Sequence, residues 1–551
     1  MSAHKNPVEM LLKWAQERPN SPWLFQPING VWHPITWSQA EVQIRCMASA
    51  LRGLGLKPGS AIAISGRNTA HWFLADLAIS MAGYISVGLY PKQSPDAVKY
   101  ILEHSETRVV FIGPMPDPDE FAGALPKGIV KIGFPYPDVS IPCDHQWEEL
   151  VRTHEPLAGY KAPDPKELIT LVYTSGTTGN PKGVMINGEN MMFASQGLLK
   201  AMPAQGQERF FSYLPLAHAF ERGAVELASI YFGAEVHFLE NLDKLAEQLK
   251  EVAPTRFFGV PLVYGRIQTG ILKKLPQEKL DRLLKIPLLS GLIKRKIKKG
   301  MGLHRARYLF VGAAPMPIPL MQWFQKLGIT ILQGYGMTEN NIYATANLPN
   351  ANRIGSVGRA MPGADMKINE DGEILFKHPG VMVGYYKEPE KTRETFTADG
   401  WLRTGDQGRV DGDGYLYITG RVKDIFKTLK GKYVAPAPIE GALSRNTHID
   451  QLCFVGTGLK QPIMVVSLNE TGRAKPREVI ERELAADMDA VNATLEPHEQ
   501  IAKIVVVKET WTIDNNLMTP TMKVKRNEIE KRYLPLIERE AQTRSKVAWE
   551  A

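Results

Sequence analysis

The chain has 551 residues, more than one compact core usually holds, and 44% apolar against 23% charged side chains mark an ordinary folded protein of three or more folding units. Its 66 basic and 58 acidic side chains leave a net charge of +8, mild for the size and suited to anionic small molecules or a membrane surface, with no nucleic-acid module in view. No run of eighteen apolar residues spans a membrane, and Cys46, Cys143 and Cys453 lie too far apart for a disulfide framework or a zinc site.

The start, "MSAHKNPVEM", lacks an apolar signal core, and the end, "KVAWEA", is no retention or peroxisomal address. The expected location is the cytoplasm, with peripheral contact to a membrane. Residues 38–160 alternate two periods. "SQAEVQIRCMASALRGLG" has helical spacing and ends in Gly, "SAIAIS" is a short strand, and "HWFLADLAISMAGY" is a mostly apolar helix before the strand "ISVGLYP". "PDAVKYILEHSE" and "RVVFIG" repeat the theme, which predicts parallel sheets covered by helices.

In "ELITLVYTSGTTGNPKG" a strand runs straight into a loop of Gly and hydroxyls. Such loops hold phosphate, because amides can approach the oxygens where no Cβ intervenes and hydroxyls add donors. The spacing is not the common nucleotide loop, which needs Gly, four residues, then Gly-Lys-Ser/Thr. Here Lys182 follows Pro181 and precedes Gly183. The plain alternative is a Gly-rich turn between strand and helix.

Further on, "RFFSYLP", "AEVHFLE", "RFFGVP", "ARYLFVGAAP" and "ITILQGYG" are short β-rich runs. The segment 272–299, "LKKLPQEKLDRLLKIPLLSGLIKRKIKK", holds ten Lys/Arg and two acids among Leu and Ile, and is interrupted by Pro276 and Pro287. It reads either as a basic amphipathic surface for anionic lipid or as a solvated helical hairpin packed on the core. From about 354 the pattern turns to strands with Asp-Gly and Gly turns, a small antiparallel unit. A hinge is expected near Arg421 to Asp424, and the last stretch mixes strands with a basic helical tail.

The ordered set "YTSGTTGNPKG", "LPLAHAFER", "VGAAP", "GYGMTE", "GWLRTGD", "GRVKDIFKTLKGKYVAPAPIE" and "TPTMKVKR" closely resembles the adenylate-forming superfamily across nearly the whole chain. "LPLAHAFER", "PTRFFGVP" and "GKYVAPAPIE" look most like its long-chain fatty acyl-CoA synthetase branch. The resemblance implies a multi-domain α/β fold. A large N-terminal domain (1–421) of layered α/β subdomains and a small β-rich unit would bind AMP and the acyl substrate, and a small mobile α+β C-terminal domain (422–551) would follow. It implies activation of a fatty acid by ATP to acyl-AMP with loss of pyrophosphate, then transfer to coenzyme A, with Mg2+ as cofactor and no nucleic acid. Loading of an acyl carrier protein, or a degenerate nucleotide- or lipid-binding protein, are the alternatives; chain length and the choice of monomer or homodimer stay open.

By the same resemblance, Thr174, Ser175, Gly176, Thr177, Thr178, Gly179 and Lys182 hold ATP phosphates. Gly312, Ala313, Ala314 and Pro315 line the adenine pocket, with Gln333, Gly334, Tyr335, Gly336, Met337 and Thr338. Tyr335 stacks on adenine, Thr338 touches the α-phosphate, and Glu339 holds magnesium with Thr174. Asp406 accepts from the ribose hydroxyls, which suits two carboxylate oxygens; Ile418 and Arg421 lie near it. Lys523, His218, Thr338 and Glu339 form the catalytic set, Lys423 the hinge, and Gly431 and Lys432 a weaker contact to coenzyme A. In isolation each has a blander reading: a solvated basic face for Lys523, Lys525 and Arg526, a satisfied core histidine for His218, a turn residue for Asp406. Two positions depart from the family pattern: Gly188 stands where a His is usual, and Asn340 where Thr or Ser is usual. Both bear on pocket packing.

Overall fold

The computed structural model describes residues 5–174, 180–429, 431–519 and 523–550. The chain forms two compact units. The first runs to Met316 and adds Leu320–Asp365 and Phe376–Leu402; the second takes Pro317–Pro319, Met366–Leu375 and the chain from Arg403 onward.

The first unit is built on three sheets. The largest has eight strands in the order Gly384–Tyr385, Lys182–Asn187, Leu168–Thr174, Ile85–Leu89, Ala61–Ser65, Val109–Ile112, Val130–Gly133, His145–Gln146. Its strands from Leu168–Thr174 to His145–Gln146 run parallel, and the two at the other end are antiparallel. Ala61–Ser65 is buried at every position, as a parallel strand covered on both faces must be, which is why its first four residues read as an unbroken apolar run. Helix Ala70–Ala82 is buried almost all round and has little amphipathic character; it ends on Gly83 in the left-handed region, φ 87°.

The expected parallel architecture is therefore present but incomplete. The residues that bracket the Gly-rich loop belong to two antiparallel strands, with Thr174 opposite Lys182. Beyond the loop the chain enters the strand Lys182–Asn187, not a helix. A second sheet pairs Arg209–Ser212, Glu235–Phe238, Pro22–Ile28 and Val31–Thr36; a third pairs Arg256–Gly259, Tyr308–Val311, Leu332–Tyr335, Thr345–Ala346 and Arg359–Ala360. One continuous core links the first two sheets and the helices on them. Trp23 stacks on Trp37 at 4.3 Å between ring centroids, and both are fully buried beside Phe73 and Trp72. Each such aromatic side chain stabilises the fold by about 2–3 kcal/mol through area removed from water.

A four-stranded sheet, Asp365–Ile368, Glu373–Lys377, Leu402–Val410 and Leu416–Arg421, holds the first strands of the second unit, and its last two strands pair antiparallel. A turn of 3-10 helix, Val422–Asp424, and the hairpin Phe426–Lys427 with Tyr433–Val434 follow. A second four-stranded sheet, Ile449–Val455, Ile463–Leu468, Lys503–Val507 and Val547–Trp549, shows two-residue alternation. Phe454, Met464, Val466, Ile504 and Val506 pack on one face against helices Pro436–Leu443 and Arg477–Asn492. Cys453, Val455, Ile463, Val465, Val505 and Val507 pack on the other against Arg526–Glu540. The basic tail is thus a covering helix, and the chain closes with a strand parallel to Lys503–Val507. Arg526 is not a solvated cation: its guanidinium pairs with Glu440 at 2.8 Å and donates to the Phe454 carbonyl.

Candidate active site

Strand Leu168–Thr174 delivers Thr174 at its C-terminal end, the end at which open α/β sheets receive ligands. Lys182 is Thr174's cross-strand partner, and its ammonium lies 4.4 Å from the centre of the Tyr385 ring. Tyr385 sits on the neighbouring edge strand, opposite Val184, and its hydroxyl donates to Glu339 Oε1 at 2.7 Å. The Met382 amide bonds to the Glu339 carbonyl at 2.8 Å and fixes the turn that carries it. Burial and the neighbouring Glu339 charge push the Tyr385 phenol well above its ordinary range, so it stays a donor. Thr174, Lys182 and Glu339 are thereby brought together through a residue that the sequence reading missed. Ser175, Gly176, Thr177, Thr178 and Gly179 lie outside the described residues.

Strand Leu332–Tyr335 supplies Gln333, Gly334 and Tyr335 and runs into Gly336, Met337 and the turn Thr338–Asn340. Asn340 is fully buried, and its Oδ1 accepts from the Met337 amide at 2.9 Å. The departure from Thr or Ser thus closes the turn with a side-chain amide. Two left-handed residues follow, Asn341 at φ 54° and Ile342 at φ 56°. A β-branched residue there is strained by about 1–3 kcal/mol and is held by its surroundings. Gly336 is part of that hold: a Cβ on it would lie 2.5 Å from the Ile342 carbonyl oxygen. Tyr335 faces Phe376, with ring centroids 6.2 Å apart.

Strand Tyr308–Val311 leads to Gly312, Ala313, Ala314 and Pro315, with Ala313 also left-handed at φ 64°. A Cβ on Gly312 would touch the Phe220 ring at 3.3 Å. Phe220 follows His218, whose Nδ1 accepts the Phe220 amide proton at 3.1 Å. A neutral His218 with Nδ1 as acceptor carries its proton on Nε2. His218 is thus the cap of a short helix, Ala219–Glu221, as well as a candidate for contact with substrate.

That helix continues into a π turn, Arg222–Leu227, a local widening common at functional sites. Sequence reasoning singled out His218 here and passed over its acidic and basic neighbours. Glu221 Oε1 accepts from Ser212 Oγ at 2.8 Å, the Tyr213 amide at 3.0 Å and Asn68 Nδ2 at 3.3 Å. These bonds favour the carboxylate, but complete burial outweighs them and raises its pKa to about 8. The Arg222 guanidinium pairs with Asp76 and donates to Ser86 Oγ at 2.8 Å and to Thr170 Oγ1. One cation therefore ties the segment after His218 to helix Ala70–Ala82 and to the strand that ends in Thr174. Glu226 lies 3.7 Å from Arg222; burial, with the Asp76 charge, pushes its carboxyl far above the usual range.

Gly188, at the other departure, starts helix Gly188–Ala201, and a Cβ there would meet the Pro165 carbonyl oxygen at 3.2 Å. A larger residue needs the 165 loop to move.

In the second unit Asp406 and Arg421 are cross-strand partners, and Arg421 Nε donates to Asp406 Oδ1 at 2.8 Å. Ile418 lies on the same strand as Arg421. Lys423 sits in the Val422–Asp424 turn, exposed. Gly431, φ 78°, and Lys432 belong to the hairpin that follows. Lys523 is exposed; its amide bonds to Thr519 Oγ1 at 3.1 Å and its carbonyl to the Thr519 amide at 2.8 Å, which pins the ends of residues 519–523. Lys525 Nζ bonds Asn516 Oδ1 at 2.6 Å.

The model of the AMP-binding enzyme family matches residues 11–386, and that of the AMP-binding enzyme C-terminal domain matches 423–543. The chain belongs to the AMP-binding enzymes. Among curated relatives of this AMP-binding enzyme, fatty acyl-CoA synthetase A of Dictyostelium discoideum is 30% identical over 92% of this chain and 85% of its own length. The long-chain-fatty-acid–CoA ligase FadD15 of Mycobacterium tuberculosis is 28% identical over 97% of each chain. Among solved structures, the anthranilate CoA ligase AuaEII in complex with anthranoyl-AMP has a TM-score of 0.80 at 22% identity, covering 98% of this chain and 99% of that one. The adenylation domain of a Mycobacterium chelonae carboxylate reductase gives 0.82 at 20%, covering 98% and 92%. The last two speak for the fold.

Proposed function

We propose that the protein is an AMP-forming fatty acid:CoA ligase acting on long-chain in preference to medium-chain acids. The carboxylate attacks the α-phosphorus of ATP, giving acyl-AMP and pyrophosphate. The thiol of coenzyme A then attacks the acyl carbon, and AMP leaves. The linkage of Thr174, Lys182, Tyr385 and Glu339 is the observation that carries the reading, because it gathers a hydroxyl, a cation and an oriented carboxylate at one strand end. The names of the curated relatives support the acyl substrate.

Each residue has a task in this scheme. Lys182 and the loop residues 174–179 neutralise and hold the β- and γ-phosphates, and each charge-assisted hydrogen bond is worth about 1.5–3 kcal/mol. Tyr335 and residues 312–315 receive adenine, and Thr338 the α-phosphate. Asp406, oriented by Arg421, accepts from the ribose diol, with Ile418 beside it. His218 and Phe220 border the acyl carboxylate. Lys523 stabilises charge in the adenylation step, and Lys423 is the hinge residue between residues 1–421 and 422–551. Gly431 and Lys432 contact coenzyme A.

Magnesium fits this donor set. It prefers oxygen ligands and commonly takes one or two carboxylates with substrate phosphates, and Glu339, held by Tyr385, with the Thr174 hydroxyl gives that chemistry. The bound ion would screen the phosphates from the incoming carboxylate.

Carboxylic acids from short to long chain, incubated with ATP and coenzyme A and assayed for AMP and thioester, test the reading. Thioester formation that rises with chain length supports it. Turnover with an acyl carrier protein and none with coenzyme A would replace it.

A further inference from the structure

We infer that helices 277–300 form a docking face for the surface of an anionic lipid bilayer. The segment 272–299 has ten basic and two acidic side chains, so the remaining chain carries 56 of each sign. The whole net charge of +8 is therefore confined to 28 consecutive residues. A charge surplus that merely kept the protein soluble would be spread over the surface.

The fold turns this surplus outward. Pro276 caps helix Gln277–Leu284, and Pro287 opens helix Pro287–Gly300 as its first residue, so the two prolines separate the helices without breaking either. Leu280 is buried, and Leu284, Ile293 and Ile297 pack against the core that holds Trp323 and Phe324, which anchors the inner faces. The outer face of Pro287–Gly300 is Leu292, Arg295, Lys296 and Lys299, a stripe at helical spacing, all exposed. Lys273, Lys274, Lys279, Arg282 and Lys285 are exposed on the preceding segment.

Two apolar side chains stand among these cations: Leu292, 63% exposed, and Ile286, 50% exposed. Lys298 donates to the Gly328 carbonyl; among the described residues none of the ten cations makes an ion pair within the molecule. The helix C-terminus favours Lys298 and Lys299, but it leaves the cations of the earlier turns unexplained. Cations that snorkel around protruding Leu and Ile match a headgroup layer with acyl chains beneath it, and an exposed basic helix stripe suits the bilayer interface. No helix of the described residues is long and apolar enough to cross a membrane, so the contact is peripheral.

Co-sedimentation of the full chain with vesicles tests this. Vesicles one-third phosphatidylglycerol in phosphatidylcholine should bind the protein at low salt and release it at high salt, and pure phosphatidylcholine vesicles should not bind it. Neutralising Arg295, Lys296 and Lys299 to Gln should weaken partitioning about 5-fold per residue, roughly 10²-fold together. Leu292→Gln should weaken it further with no change of charge. Thermal midpoint and adenylation of a water-soluble acid without vesicles should match the parent chain in both variants, which separates docking from folding and from the acyl reading. Equal binding to both vesicle types, or parental binding by the triple variant, would overturn the proposal.

Discussion

The Tyr385 hydroxyl donates to Glu339 Oε1 at 2.7 Å, while the Lys182 ammonium sits 4.4 Å from the centre of the same ring. One phenol thus orients the carboxylate proposed for magnesium and borders the lysine proposed for phosphate. Tyr385→Phe keeps the ring and removes the donor. A hydrogen bond to a charged group is worth about 1.5–3 kcal/mol. The variant should need roughly ten-fold or more Mg2+ for half-maximal adenylation, with affinity for the acid unchanged. An unaltered magnesium titration would detach Tyr385 and Glu339 from metal binding.

Asp406 faces Arg421 across an antiparallel pair, with its Oδ1 held by Arg421 Nε. If Asp406 reads the ribose diol, the enzyme should prefer ATP to 2′-deoxy-ATP, and Asp406→Asn should lose most of that preference along with adenylation rate. A variant that is slower with both nucleotides in equal proportion would make the pair structural only.

Glu221 yields a prediction in pH. Its pKa is raised to about 8 in the folded protein from an ordinary 4.5, mainly by burial. Between these values the folded chain holds a proton that the unfolded chain has released. The stabilisation is whole below pH ~4.5 and is lost as pH rises to ~8, by at most about 1.4 kcal/mol per pH unit. Glu221→Gln removes this dependence and keeps an acceptor for Ser212 and Tyr213. Unfolding free energies from pH 5 to pH 8 should fall less steeply in the variant; parallel curves would mean that Glu221 is ionised in the fold.

What the sequence disclosed and what it hid divide along physical lines. Strand ends and Gly-rich turns were legible because they rest on local period and backbone freedom. The alternation over 38–160 appears as the parallel part of the large sheet. Tyr385 was hidden because nothing in its neighbourhood marks it; its role depends on an edge strand pairing some two hundred residues upstream. Arg222 was hidden for the same reason, since its partners Asp76, Ser86 and Thr170 come from three distant elements. The strand Lys182–Asn187 was hidden too, because its antiparallel pairing with Leu168–Thr174 has no two-residue turn signature in the sequence. Strand Val547–Trp549 is three residues long, too short for a periodic signal.

Lys523 and Lys525 make a controlled pair. Lys525 is tied to Asn516, while the ends of the Lys523 loop are pinned through Thr519. Lys523→Ala should slow acyl-AMP formation about 10²–10³-fold, the scale of one preorganised charge-stabilising donor, and leave the reaction of supplied acyl-AMP with coenzyme A nearly intact. Lys525→Ala should change neither step much. Lys423→Pro, which restrains φ in the Val422–Asp424 turn, should keep one half-reaction and lose the other. Adenylation by Lys523→Ala at the parental rate, or equal loss of both steps in Lys423→Pro, would contradict the assignments.

The central claim is that this chain joins a fatty carboxylate to AMP. Exchange of labelled pyrophosphate into ATP, without coenzyme A, measures that step alone. The account predicts exchange that depends on added long-chain fatty acid and on Mg2+, is abolished in Glu339→Gln, and gives way to AMP release when coenzyme A is supplied. Absence of acid-dependent exchange in folded protein that still binds ATP would contradict it.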